Sequence, residues 1–260
     1  MFPVSIRIVS CIGGIMVRMQ DRPLWAVALI FLLVMAPVSY AGTSAQRVTG
    51  ATATVTDITT LGASVQVLNT SNQDITAYTI AIETTFADGH ANRSESMKDY
   101  GPDNTAKGEI LHPGSTDEIR IGGWESTAKV KVKVSAVVYA DKTSEASDAE
   151  ALGRIVDHRT SMALMTNSTV GVLRTVLADP ANEHPGKEVA SRIRTVASSP
   201  KAAPGIDKEF MKAVSEEYEN APRRASDAGV TERQYLTERL AAMEQQAAAE
   251  TSYAQVRRQP

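Results

Sequence analysis

Valines at 130, 132 and 134 alternate with lysines at 129, 131 and 133, and the apolar run continues to Tyr139. A period of two with one parity wholly apolar predicts a strand with one face buried and the other in water. The same alternation recurs upstream in weaker form. Ala51–Val55 mixes small and β-forming residues, Ser64-Val65-Gln66-Val67-Leu68 alternates, and Ile75–Phe86 sets Tyr78, Ile80, Ile82 and Thr84 on one parity. Turn chemistry separates these runs. Asn69–Asp74 is polar throughout, Asp88-Gly89 supplies the positive φ of a tight hairpin, and Pro113-Gly114 precedes a short strand at Glu118–Ile121. Roughly five to seven short strands without a helical period between them predict an antiparallel β-sandwich over 48–142, with a closed barrel as the other arrangement.

Beyond Asp141 the period changes. Ser147 and Glu150 have the spacing of a capping box, and Leu152, Ile155, Val156, Met162 and Ala163 follow at helical intervals towards Asp179-Pro180. This predicts a helical segment over 147–178, as one long bent helix or two shorter ones. Further helices are expected at Lys187–Ala197, after a cap at Asp207, and from the pair Thr231 and Gln234 to about Arg257. Prolines at 180, 185, 200, 204 and 222 separate them, and large apolar residues are few between Asp179 and Val230. The stretch 179–257 is therefore expected as a loosely packed, partly disordered helical tail.

Three segments of the strand region carry a resemblance: Val65-x-Val67-x-Asn69-x-Ser71, Ile75-x-Ala77-Tyr78-x-Ile80, and Phe86-Ala87-Asp88-Gly89. Together they resemble the small immunoglobulin-like β-sandwich modules of exported bacterial proteins, the FxLYD-type domains in particular. Phe86-Ala87-Asp88 stands without that family's leucine-tyrosine pair. The resemblance spans about residues 48–142 and implies a binding or scaffolding fold, with no catalytic residues to carry over. The expected fold class is α+β: an N-terminal signal helix, an immunoglobulin-like antiparallel sandwich, then a loosely packed C-terminal α-helical region.

The front of the chain reads as a secretory leader over 1–41. Arg18 and Arg22 precede the apolar run Leu24–Val38, and Ser39-Tyr40-Ala41 sets small residues three and one before a cut ahead of Gly42. The run falls short of the roughly 20 residues a spanning helix needs, so cleavage is favoured over a retained anchor. Met16 or Met19 is the expected true start, since residues 1–15 sit awkwardly before such a leader. Secretion or a periplasmic location follows, with single-pass anchoring as the alternative.

Composition narrows the chemistry. Acidic and basic residues nearly balance, 30 against 27, which gives no field for nucleic acid, and aromatics at 5% provide no stacking platform. Cys11 is the only cysteine and precedes the cut, so the expected mature chain has no thiol or disulfide. Histidines 90, 112, 158 and 184 are scattered without metal-ligand spacing, so no cofactor or metal is expected. Asp88-Gly89-His90 reads as a hairpin tip, and Asp99-Tyr100-Gly101-Pro102-Asp103-Asn104 as a solvated turn rather than a calcium loop. Nucleophile elbows and phosphate-binding glycine loops do not occur. The lysine row reads as protection of an edge strand. Asn69, Asn92 and Asn167 head glycosylation sequons, which matter only in a host that glycosylates exports. Trp124, after Gly122-Gly123, is the one residue singled out as a partner contact, against an alternative place in the sandwich core.

These readings predict a non-enzymatic exported protein that binds a protein or envelope component. A hydrolase with an Asp/Ser/His site assembled in space and a membrane-tethered interaction module are the alternatives.

Overall fold

The computed structural model describes residues 11–12, 15–16, 47–59, 62–122, 127–198 and 207–258. The leader over 1–41 and its cut site, apart from four residues, lie outside them, as does Trp124. Contacts divide the chain into Met1–Ser44 and Ala45–Pro260. In the first unit, strands β1 (Cys11–Ile12) and β2 (Ile15–Met16) pair antiparallel. Every other element belongs to the second. Among the described residues no helix is long and apolar enough to cross a membrane.

The class is α+β, with two sheets facing each other. Strands β3 (Ala51–Thr59), β4 (Gly62–Asn69) and β7 (Thr116–Gly122) form one, in the order β3-β4-β7. The other has the order β10-β9-β8-β5-β6, from β5 (Ile75–Phe86), β6 (Ala91–Asp99), β8 (Thr127–Tyr139), β9 (Thr143–Ala146) and β10 (Arg257–Arg258). All pairings are antiparallel except β10 with β9. The expected alternation fills the space between the sheets: Val65 and Val67 meet Ile75, Tyr78, Ile80, Val134 and Val137 in one buried cluster. The turns follow their glycines. Gly89 sits at φ 85° in the β5–β6 hairpin, and Gly114 at φ 73° lets the Ser115 amide reach the His112 carbonyl at 3.0 Å.

The wet outer face expected of an antiparallel strand is absent along much of β5 and β8. Ile75–Ile80 and Val134–Tyr139 are buried on both faces. Helix α2 (Ala149–Leu177) lies on the outer side, where Ala77, Ala136 and Val138 meet Ala151, Leu152 and Ile155. Two alanines on the sheet and one on the helix keep this surface low enough for backbones to approach closely. Of the two expected arrangements, one long helix or two shorter ones, the chain adopts the single helix, capped by Asp148 rather than Ser147. The Asp148 carboxylate accepts from the Glu150 amide at 2.9 Å, while the Ser147 amide bonds the Ser135 carbonyl.

The helical region also has more core than its prolines suggest. α3 (Pro185–Ser198), α4 (Lys208–Glu219), α5 (Ala221–Asp227) and α6 (Glu232–Tyr253) follow α2, with α1 (Gly101–Lys107) inserted earlier between β6 and β7. In place of a loosely packed tail, Leu173 and Val176 of α2 share one buried cluster with Val189 and Ile193 of α3, Met211 and Tyr218 of α4, and Leu236 of α6. The buried members are spread thinly: three from α2, four from α3, two from α4 and one each from α5 and α6. Pro185 and Pro222 stand in first turns, where the missing N–H costs nothing. Asp207 and Thr231 cap α4 and α6 through their side chains, as their sequence context predicts. The tail then returns to the sheet: the Arg257 amide bonds the Lys142 carbonyl at 2.7 Å, and β10 extends the sheet past β9. Both strands fall outside the 48–142 span that alternation marks.

Candidate functional site

Trp124, the predicted partner contact, lies between Gly122 and Thr127 and outside the described residues. The other groups singled out by sequence have definite places. His90 is exposed at the β5–β6 tip and stacks on Phe86 with ring centroids 5.7 Å apart, while Asp88 accepts from its backbone amide. His158 is exposed on α2, and His184 is exposed in the loop just before α3. His112 pairs with Asp74 (Nδ1 to Oδ1, 2.8 Å), and its Nε2 faces the Gly108 carbonyl at 3.0 Å. Because both acceptors favour N–H groups, the imidazolium is favoured, and the Asp74 contact leads in raising its pKa. The Ser115 hydroxyl bonds the His112 carbonyl oxygen instead of its ring. Among the described residues no three His, Cys, Asp or Glu side chains gather as a metal requires. Asn69 is buried and donates to the carbonyls of Gln73 and Leu111, so its sequon is structural, whereas Asn92 is exposed.

The expected solvated turn at Asp99–Asn104 is a correction. Asp99 is buried, and Gly101 onwards is helix α1. Arg159, on the sheet-facing side of α2, donates from Nε to Asp99 Oδ2 at 2.7 Å and from Nη2 to Asp99 Oδ1 at 3.3 Å. The two side chains are 2% and 5% exposed, so the pair has almost no solvent screening. Nη2 also reaches Thr76 Oγ1 (3.2 Å), and Nη1 the Tyr253 carbonyl (3.3 Å). The Tyr253 ring lies 3.7 Å from the guanidinium carbon, and its hydroxyl donates to Asp99 Oδ1 at 2.7 Å. Burial, with the Asp99 charge second, pushes the Tyr253 phenol up to about 12. The knot joins β5, β6, α2 and α6. Sequence reasoning missed it, although Arg159 interrupts the apolar stripe between Ile155 and Ala163.

A second knot sits between the sheets at β7. Tyr78 and Tyr100 donate to Asp117 Oδ2 at 2.7 and 2.8 Å, and Lys98 Nζ approaches the same oxygen at 2.5 Å. Burial alone would raise the Asp117 carboxyl. Hydrogen bonds from Lys98 and both tyrosines, with the lysine charge, outweigh it and hold the carboxyl below its ordinary value. Burial and the Asp117 contact push both phenols well above the usual range. A depressed carboxyl stabilises the fold above its unfolded value near ~4 and loses that contribution as pH falls through the folded value. Asp117→Asn should therefore flatten the fall in melting temperature between about pH 4 and 2, as read by thermal denaturation across that range. An unchanged acid slope would remove Asp117 from the account.

A third carboxylate, Glu145, closes the far end of the sandwich. It accepts from Tyr139 Oη (2.6 Å) and from the Thr49 and Gly50 amides (2.6 and 3.2 Å), fastening the chain just before β3 onto β9. Only glycine fits at 50, because a Cβ there collides with the Tyr139 hydroxyl.

Lys129, Lys131 and Lys133 stand exposed on the outer face of β8, beyond the reach of α2. Their register sets Lys131 beside Glu83, which in turn pairs with Arg93 on β6; both contacts are 3.8 Å. Lys129 and Lys133 have no ion pair among the described residues. The row sets three like charges on one face of a single strand, and in sequence it follows the segment that contains Trp124. No family model, no curated protein and no solved structure matches the chain.

Proposed function

We propose that the chain is an exported, non-enzymatic binding or scaffolding protein whose immunoglobulin-like sandwich acts in the cell envelope or outside the cell after loss of its leader. One observation carries the reading. Strands β3-β4-β7 facing β5-β8-β9 share with an immunoglobulin-like sandwich the grouping of the first, second and fifth strands in one sheet and the third, sixth and seventh in the other, while the fourth, β6, pairs with the third instead of the fifth. The FxLYD-type resemblance over the same span points the same way. The acids that could serve catalysis are engaged internally: Asp99 by Arg159 and Tyr253, Asp117 by Lys98 and two tyrosines, Glu145 by Tyr139 and two amides. His112, the histidine held by an acid, has its second nitrogen on a carbonyl rather than a hydroxyl.

Expression of the full chain in a bacterial host, followed by fractionation, intact-mass measurement and cross-linking, tests this reading. A mature chain beginning at Gly42 in the periplasm or medium, cross-linked to a defined envelope component, is expected. A full-length mass in the cytosol contradicts export, and a mass retaining Leu24–Val38 in the membrane fraction would make it a tethered module.

A further inference from the structure

β8 is internal in the strand order, yet half of it has an open edge. β9 pairs with it only at Ala136, Val137 and Val138, and then the chain leaves for α2. Among the described residues no strand lies beside β8 from Lys129 to Val134 on that side. The facing sheet also leaves an apolar residue open. β3 packs over β8, and its Ile58 is in register with the buried Ala63 of β4. Ile58 nonetheless remains 45% exposed. Ile58 therefore leaves apolar surface open on the inner parity of β3, an edge strand of the facing sheet.

We infer that this notch receives one extended segment of a partner protein, apolar on one parity and acidic on the other, which pairs with Lys129–Val134 and completes the sheet. The inference rests on the reading of the chain as a binding module. An added strand takes its affinity from main-chain hydrogen bonds and its selectivity from alternate side chains. On the inner parity it meets Val130, Val132 and Ile58; on the outer parity it meets Lys129, Lys131 and Lys133. The Cβ atoms of directly opposite residues on adjacent strands lie about 4.5–5.5 Å apart, so acidic side chains there come within ion-pair reach of the lysines. Charge decides between occupants. A second copy of β8 would set lysine against lysine, so the row that guards the edge against self-pairing also admits an acidic strand.

The test uses the leaderless full chain and three probes: an acetylated Glu-Val-Glu-Val-Glu-Val-Glu peptide, its Lys-Val counterpart, and polyglutamate of equal charge. Binding is followed by titration, and β8 amides by hydrogen exchange. The Glu-Val peptide should bind and slow exchange across 129–134 by about tenfold or more, with affinity falling about tenfold in K129E/K133E. That variant changes only exposed side chains, and an unchanged melting temperature confirms its fold. The Lys-Val peptide should bind the variant and not the parent. Failure of the Glu-Val peptide to bind, binding without slowed β8 exchange, or equal binding of polyglutamate with no strand protection overturns the inference. If the peptide fails while the chain still cross-links to an envelope component, the edge site alone falls; if both fail, so does the binding-module reading.

Discussion

Arg159→Met is expected to destabilise the protein by about 3–5 kcal/mol, the largest effect of any single substitution considered. The cost arises from what is left behind. Asp99 would remain buried, with the Tyr253 hydroxyl and the Gly101 amide as its remaining donors, and neither carries a charge. Asp99→Asn is expected to cost a similar amount, because it strands the guanidinium over the Tyr253 ring. The double variant Arg159→Met/Asp99→Asn should lose clearly less than the sum of the two, with a coupling of about 1–3 kcal/mol. Denaturant midpoints of the four proteins measure this directly. Additive losses would mean that the pair, though close, does not act as one unit.

Ile155→Ala follows, at about 2–5 kcal/mol. Ile155 is fully buried between α2 and the outer face of the five-stranded sheet, beside Ala77 and Val138. Small neighbours cannot move in to fill the space, so the cavity should persist. Leu164 lies on the same helix but is 38% exposed, and its replacement by alanine should stay within about 0.5 kcal/mol. The informative outcome is the form of the transition. Far-UV circular dichroism, dominated by the helices, and near-UV signals, to which the buried sandwich tyrosines Tyr78 and Tyr139 contribute, should shift together in Ile155→Ala. A helical signal that shifts alone would mean that α2 is an appendage.

Local physics made much of this fold legible. The Lys-Val alternation marked β8, Asp88-Gly89 marked the β5–β6 hairpin, and Asp207 and Thr231 marked helix starts. Each of those signals acts within a few residues. The remainder depended on distant partners. Asp99 and Arg159 are separated by 60 positions, so the polar run around Asp99 reads as a turn until α2 is laid across it. The helical cluster was hidden for a related reason: no single helix between Asp179 and Tyr253 holds enough large apolar residues to read as a core. β10 is two residues long, and its parallel pairing with β9 leaves no local pattern. One signal was present and informative. Arg159 falls on the apolar face set by Leu152, Ile155 and Ala163, where a charge needs either a route to water or partners such as a buried acid and carbonyls. The open edge of β8 needed the sheet order, since the sequence shows the lysine row but not where β9 stops.

If sandwich and helices are one folded body, native-state hydrogen exchange at increasing denaturant will show it most directly. Amides at Val137 and Val138 of β8 and at Ile155 and Leu173 of α2 should merge onto a single opening reaction, with one free energy and one denaturant dependence. Opening of α2 at distinctly lower free energy, with β8 still protected, would contradict it.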